Sequence, residues 1–180
     1  MDENKFFRNL TLKICSHLKI EEGLRACIQY LSQYMPADKL YLERHDHGPG
    51  QMRPLARASK NMCERLDILI HLSDEARASK IERSNGRSQS VFMYNRSDEI
   101  PKLNEFLEKL KEPPSSVLWL SLIVESQHTG ALILLAYGKD RFEERHAKLF
   151  AILKESFFTA MSNALKYEKV VDDNRLLRHE

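Results

Sequence analysis

Along this chain the spacing of apolar residues switches between steps of three or four and steps of two, and each switch marks a new element. Phe6, Leu10, Ile14 and Leu18 fall at steps of four and predict a helix over "NKFFRNLTLKICSHL". Leu24, Cys27, Ile28, Leu31 and Tyr34 form a second helical stripe. Met35-Pro36 closes it, because the residue before proline is pushed out of the helical region. "DKLYLERH" then alternates, with Leu40 and Leu42 on one face and Tyr41, Glu43 and His45 on the other. The turn "DHGPG" and the return strand "QMRPLARAS" make this a hairpin. "LDILIHL" reads as a third strand. Ser73 then caps a short helix, "DEARASKIERSN", whose first turn is acidic and which ends at Asn85-Gly86. "QSVFMYN" is a fourth strand.

Pro101 opens a helix whose Leu103, Phe106, Leu107 and Leu110 make one apolar stripe, and Pro113-Pro114 stops it. "SSVLWLSLIVE" and "GALILLAYG" form a second hairpin through "SQHT". Asp140 and Glu143 set a D-x-x-E capping box ahead of the last helix. In that helix Phe150, Leu153, Phe157, Ala160, Ala164, Tyr167 and Val171 recur at alternating steps of three and four, and nothing after Gly138 resembles a stop. The spacing predicts a dimer seam through Phe157, Ala160, Ala164, Tyr167 and Val171, with Asn174 as a polar position that sets register. The alternative is an amphipathic helix packed on its own sheet.

The order αα-ββ-β-α-β-α-ββ-α predicts an α+β fold with a six-stranded antiparallel sheet. The amino- and carboxy-terminal helices take one face, and short helices and loops cover a pocket on the other. The fifth strand supports this. Leu118, Leu120, Leu122 and Val124 share an aliphatic face, whereas Val117, Trp119, Ser121, Ile123 and Glu125 share a mixed one. The mixed face has the texture of a pocket wall. By alternation Tyr41, Glu43 and Arg57 face that pocket, as do Phe92, Tyr94, Trp119 and Ser121, with His71 at its edge. Trp119 leads this group, because a lone tryptophan beside a serine offers a stacking face next to a hydrogen-bonding group.

Composition narrows the function. Twenty-eight basic against 26 acidic residues leave a net charge of +2, too balanced for a phosphate-backbone binder, so no direct nucleic-acid contact is expected. The acidic start "MDENKFFRNL" is no signal peptide, and "VLWLSLIV" and "ALILLAY" are too short to span a bilayer. Three separated cysteines without a CxxC pair suggest neither zinc nor a disulfide framework, which fits the cytoplasm. His45 and His47 flank Asp46, but the glycine-proline turn beside them makes a solvated hairpin tip the better reading than a metal site. Cys63 reads as a small packing residue on the pocket side, with a redox or catalytic thiol as the rival reading. Cys15 and Cys27 read as packing residues of the first two helices. No GxSxG, P-loop or HExxH is present, so no enzyme activity is expected.

Several stretches resemble a known family: "FFRNLTLKICSHLKIEEGL", "YMPADKLYL", "ARAS", "LSDEARA", "LILLAYGKDRFEERHAKL" and "SNALKYEKVVDDNRLLRHE". Together with the element order they resemble a GAF domain, and more narrowly the amino-terminal GAF domain of bacterial sigma-54-dependent regulators. The resemblance implies a sensor over residues 1–165 and the start of a helical signalling linker over 166–180. It implies an unidentified small-molecule effector, a homodimer, and AAA+ and DNA-binding domains following in the full-length protein. It does not extend to cyclic nucleotides: "YNRSDEI" has Asn95, Asp98 and Glu99 but lacks the lysine and spacing of the Asn-Lys…Phe…Asp-Glu signature. The rival to a ligand sensor is a dimerisation or protein-interaction module whose pocket is filled by its own side chains.

Overall fold

The computed structural model describes residues 1–44, 50–79, 90–124 and 127–160, with 162, 163, 170 and 174, and gives backbone only at 123, 124 and 127–129. Helices α1 (Glu3–Cys15) and α2 (Ile20–Leu31) come first, then strands β1 (Lys39–Arg44), β2 (Gln51–Ala58), β3 (Cys63–Arg65) and β4 (Ile70–His71). Helix α3 (Asp74–Ala78), strand β5 (Val91–Tyr94), helix α4 (Pro101–Lys109), strands β6 (Ser115–Val124) and β7 (Gln127–Tyr137), and helix α5 (Glu144–Ala151) follow. Residues 153–160 are again helical. The strands are antiparallel in the order β3-β2-β1-β7-β6-β5, with β4 paired to the start of β2.

Among the described residues the antiparallel sheet expected from the sequence is present with seven strands, the additional one, β3, lying just ahead of the predicted third strand. Alternation in "LDILIHL" misses Cys63–Arg65, which has no apolar period of its own. The Ser59 amide bonds the Met62 carbonyl at 2.7 Å and turns the chain so that Cys63 lies opposite Ala58. Only Ile70 and His71 of the predicted stretch pair, with Met52 and Gln51.

The two faces of the sheet carry separate cores. Leu40, Leu42, Leu118, Leu120, Leu122, Leu132 and Leu134 pack under Phe6, Leu10, Ile14, Leu24, Ile28, Phe150 and Phe157. On the other face Tyr41, Trp119, Ile133 and Leu135 meet Leu103, Phe106, Leu107 and Leu110 around α4. Burying those four α4 side chains contributes roughly 1.5–3 kcal/mol apiece before ordering costs. The predicted division of β6 into an aliphatic helix-facing side and a mixed side therefore holds for its described side chains.

Four local expectations are corrected. Leu18 is 78% exposed, since α1 ends at Cys15 and Ser16 caps it. Cys15 is exposed rather than packed, while Cys27 is buried and its thiol pKa is pushed up by that burial. Cys63 packs against the helix-face core, not the pocket side. The last helix starts at Glu144, and the capping box joins Glu143 to His146 rather than Asp140 to Glu143. Asp140 instead sits at φ 55° and pairs with Arg96 at 3.0 Å. The hairpin tip with His45 and His47, and the helix end at Asn85-Gly86, lie outside the described residues.

Candidate functional site

Helix α3 and the first turn of α4 frame a cleft of about 450 Å³ lined by Gly50, Leu72, Asp74, Arg77, Ala78 and Lys102. Its walls are tied together twice. Ser73 caps α3 by accepting the Ala76 amide at 3.2 Å. The Ser73 amide and hydroxyl in turn donate to the two carboxylate oxygens of Glu105 at 2.8 and 2.5 Å. Those Ser73 bonds hold the Glu105 carboxyl below its ordinary pKa against the opposing effect of burial, and Lys109 at 3.2 Å helps. At the other end the Lys102 amide donates to Ser79 Oγ at 3.2 Å, and that hydroxyl donates to the Ala76 carbonyl at 2.8 Å. Gly50 has φ +81°, and a Cβ there would fall 2.4 Å from Cδ and Nε of Arg77. The arginine stem thus lies across a backbone position that only glycine leaves open.

None of the eight sequence-predicted residues lines this cleft directly. Trp119 is buried on the α4 face, and Nζ of the lining residue Lys102 stands 6.0 Å from its ring centroid. Phe92 lies opposite Trp119 in the ladder, and its ring stacks on Tyr94 at 6.5 Å. Ser121, half-buried, continues the same face of β6. His71 is exposed one residue before Leu72 and approaches Gln51 at 3.4 Å. Glu43 is fully buried on β1. The structure therefore brings Phe92, Tyr94, Trp119 and Ser121 onto one sheet region and leaves His71 at the rim.

Tyr41 and Arg57 belong to a different constellation, below the carboxy-terminal end of α4. Tyr41 is fully buried, edge-on to Phe106, and its hydroxyl donates to Glu112 Oε1 at 2.5 Å. Tyr137 donates to Oε2 of the same carboxylate at 2.9 Å, and Lys39 Nζ lies 3.9 Å away. Burial first, and the Glu112 carboxylate second, push both phenols to higher pKa, so they remain protonated donors. Arg57 bridges from Tyr41 to Glu64 on β3. The residues absent from the predicted set are thus Gly50, Leu72, Asp74, Arg77, Ala78 and Lys102 in the cleft, with Glu112 below. Only the capped helix after Ser73 and the helix start at Pro101 signal them in the sequence.

Other candidates resolve into packing and capping. Asn95 clamps the Phe142 backbone, donating to its carbonyl at 2.9 Å and accepting its amide at 3.0 Å. Asp98 pairs with Lys139 at 2.7 Å, and its hydrogen bond to that ammonium lowers its pKa. Of the predicted seam, Phe157 is fully buried in the chain's own core and Ala160 packs against it. Ala164, Tyr167 and Val171 lie outside the described residues. Asn174 is exposed and its amide donates to the Val170 carbonyl at 2.9 Å. Among the described residues no three His, Cys, Asp or Glu side chains gather to hold a metal, and no helix is long and apolar enough to cross a membrane.

No protein-family model matches the chain, and no curated protein matches it in sequence. Solved structures do match in shape. A GAF domain from a phosphoenolpyruvate-protein phosphotransferase of Coxiella burnetii superposes with TM-score 0.58 at 15% identity, over 97% of this chain and 98% of its own. The phycoerythrobilin-bound GAF domain of a cyanobacterial phytochrome gives 0.58 at 11% identity, over 93% and 98%. The chromophore-binding domain of the R. palustris bacteriophytochrome RpBphP3 gives 0.58 at 8% identity over 92% of this chain, which spans 62% of that longer one. Sequence identity this low carries the likeness of fold alone. The α+β order, the antiparallel sheet and the two-sided core agree with that likeness, and the chain has the GAF fold.

Proposed function

We propose that the chain is a non-catalytic, small-molecule-sensing GAF domain whose ligand enters the cleft between α3 and α4. The observation that carries this reading is the unequal cover of the sheet. One face is sealed by α1, α2 and α5, whereas α3 and α4 leave a cleft beside Lys102 and Trp119 on the other. Its lining mixes the charged Asp74, Arg77 and Lys102 with the apolar Leu72 and Ala78, and small-molecule sites use such polar groups to fix a ligand's orientation. The bilin-bound cyanobacterial domain of the same fold supports it by analogy. Trp119 is the chain's one tryptophan, so its emission reports on this region alone. Titration with a ligand should shift that emission. Native mass spectrometry of the purified protein should show either reproducible extra mass or uptake from a metabolite pool. Neither response to any fraction of such a pool would refute the sensor.

The output we propose is a homodimer through the first and last helices, signalling to an AAA+ effector as in sigma-54-dependent regulators. Leu12 remains 64% exposed next to Thr11, whose hydroxyl lies 2.5 Å from that of Ser156 in the terminal helical region, which supports a partner there. A change in helix packing needs only about 1–3 kcal/mol of differential affinity between two arrangements. Tyr167→Glu and Val171→Glu should together convert dimer to monomer in sedimentation, and an unchanged dimer removes the seam. The second reading, an interaction module with a self-filled pocket, is favoured by the burial of Tyr41 and Trp119 beneath α4. Ligand-dependent stabilisation opposes it.

A further inference from the structure

One short segment reaches both cores of the sheet, and the last helix starts from what it holds. Residues 95–100 lead from β5 into α4. At one end the Asn95 side-chain amide donates to the Phe142 carbonyl at 2.9 Å while Oδ1 accepts the Phe142 amide at 3.0 Å. The Asn95 carbonyl accepts the Asp140 amide at 3.0 Å. Ser116 Oγ accepts the Arg141 amide at 3.1 Å and reaches the carbonyl oxygens of Gly138 and Asn95 at 3.0 and 3.1 Å. So gripped, Phe142 is buried in the helix-face core, edge-on to His146 in the first turn of α5. At the other end Ile100 packs against the α4-face core, its amide bonded to the Ser97 carbonyl at 3.1 Å. Ser97 is itself pinned, its Oγ accepting the Ser115 amide at 3.0 Å. Two outer ion pairs close the contact. Arg96 meets Asp140 through two nitrogens at 3.0 and 3.3 Å, and Lys139 meets Asp98 at 2.7 Å. Asp140 is held there at φ 55°, in the left-handed region that a non-glycine residue seldom occupies.

We infer that residues 95–100 and 138–142 form a strap that carries a movement of α4 to the start of the last helix, around the end of the sheet rather than through it. Residues 95–100 pass from the core under the terminal helices to the core under α4, so neither end shifts without the other. The loop they grip carries backbone strain that these contacts hold in place. Such a strap has two arrangements. Closed, it seats Phe142 and keeps Asp140 left-handed. Opened by a shift of Ile100 and the first turn of α4, it frees the Asp140 backbone and unseats Phe142 from beside His146. Its use in signalling rests on the sensor reading, but the strap itself needs no ligand.

Hydrogen exchange followed by mass spectrometry on the full, unliganded chain tests it, with α2 as the internal reference. Ser97→Ala loosens the turn before α4. It should speed exchange in peptides covering α4 and, by about twofold to tenfold, in those covering 142–151, with α2 unchanged. Asn95→Ala removes both side-chain bonds to Phe142 and should speed 142–151 roughly tenfold. Adding Ser97→Ala to it should then change α4 alone. Arg96→Gln, at a half-exposed side chain, leaves both cores intact and should speed 142–151 about twofold to fivefold. If Asn95→Ala does not fold, Arg96→Gln takes its place, and Ser97→Ala should then affect 142–151 less than it does in the wild-type chain. Ser97→Ala that leaves 142–151 at the wild-type rate overturns the inference. So does an equal effect of Ser97→Ala on 142–151 with the strap intact and cut, which moves the coupling into the sheet. A rise spread equally to α2 is global loosening and overturns it too. Coupled exchange without any ligand response removes the sensor and leaves the strap, and uncoupled exchange in a chain that binds ligand does the reverse.

Discussion

Glu112→Ala should be among the most damaging single substitutions in the chain outside its two apolar cores, and the structure says by how much. Glu112 follows α4 in a Schellman ending: Lys111 takes φ 59°, the Glu112 amide bonds the Leu107 carbonyl at 2.9 Å, and the Lys111 amide bonds that of Glu108 at 3.0 Å. This turn aims a carboxylate, 5% exposed, at Tyr41 and Tyr137. Hydrogen bonds to a charged group contribute about 1.5–3 kcal/mol each, and the Lys39 contact at 3.9 Å adds at most a few tenths. Water can recover part of the Tyr137 bond, since that residue is half-buried, but not that of the fully buried Tyr41. The expected cost is therefore about 3–5 kcal/mol, read as a shift in urea midpoint with m unchanged. The decisive assay is a double-mutant cycle. Tyr41→Phe alone should cost about 1–2 kcal/mol, yet in the Glu112→Ala background it should cost clearly less, because the hydroxyl has lost its carboxylate acceptor and keeps only Arg57. Additive losses, or a Glu112→Ala cost under about 1 kcal/mol, would refute the clamp.

Other expectations are shorter. His146 Nδ1 accepts the Glu143 amide at 3.0 Å, and burial first, then Arg145, hold the imidazole pKa below its ordinary value. The unfolded chain takes up that proton first, so the stabilisation is complete above about pH 6.5 and is lost as pH falls through the lower folded value. His146→Gln, which keeps an acceptor without titrating, should flatten Tm between pH 7.5 and 5. Lys111→Gly should stabilise by roughly 0.5–1 kcal/mol in urea melts, relieving a left-handed non-glycine residue. Gly130→Ala should lower Tm sharply, because its Cβ would lie 2.2 Å from the Glu43 carbonyl oxygen. Gly138→Ala, with φ +96° but open space around it, should cost about 1 kcal/mol of strain alone.

The helical stripes and the two faces of β6 were legible because burial repeats with the period of the element. Leu10 and Ile14 are buried as their spacing demands. The same spacing continues to Leu18 without any helix to carry it, since a local cap at Ser16 rather than the apolar period ends α1. Strand β3 escaped because backbone pairing to Ala56–Ala58, not side-chain pattern, makes it a strand. Candidate site residues were harder still. Alternation places Tyr41 and Trp119 on the correct face, but only the docking of α4 decides that they are covered rather than open. Arg77 meets Gly50 and shares a cleft with Lys102 across long stretches of chain, and Tyr41 meets Glu112 across 71 residues, separations that no local period encodes.

Helix α4 is where these separate observations meet. Lys102 in its first turn lines the cleft, and Glu112 just past its last turn anchors the sheet through Tyr41 and Tyr137. Nine helical residues span about 13 Å and behave as a short rod. The far end of that rod is fixed by one carboxylate. Tilting that rod must reorganise either the Leu103, Phe106 and Leu107 packing or the Glu112 clamp. Beneath it lie Tyr41 on β1 and Tyr137 on β7, strands whose opposite faces carry Leu42 and Leu134 into the core of the terminal helices. Glu112 thus ties the end of α4 to the two strands whose other face packs under the terminal helices.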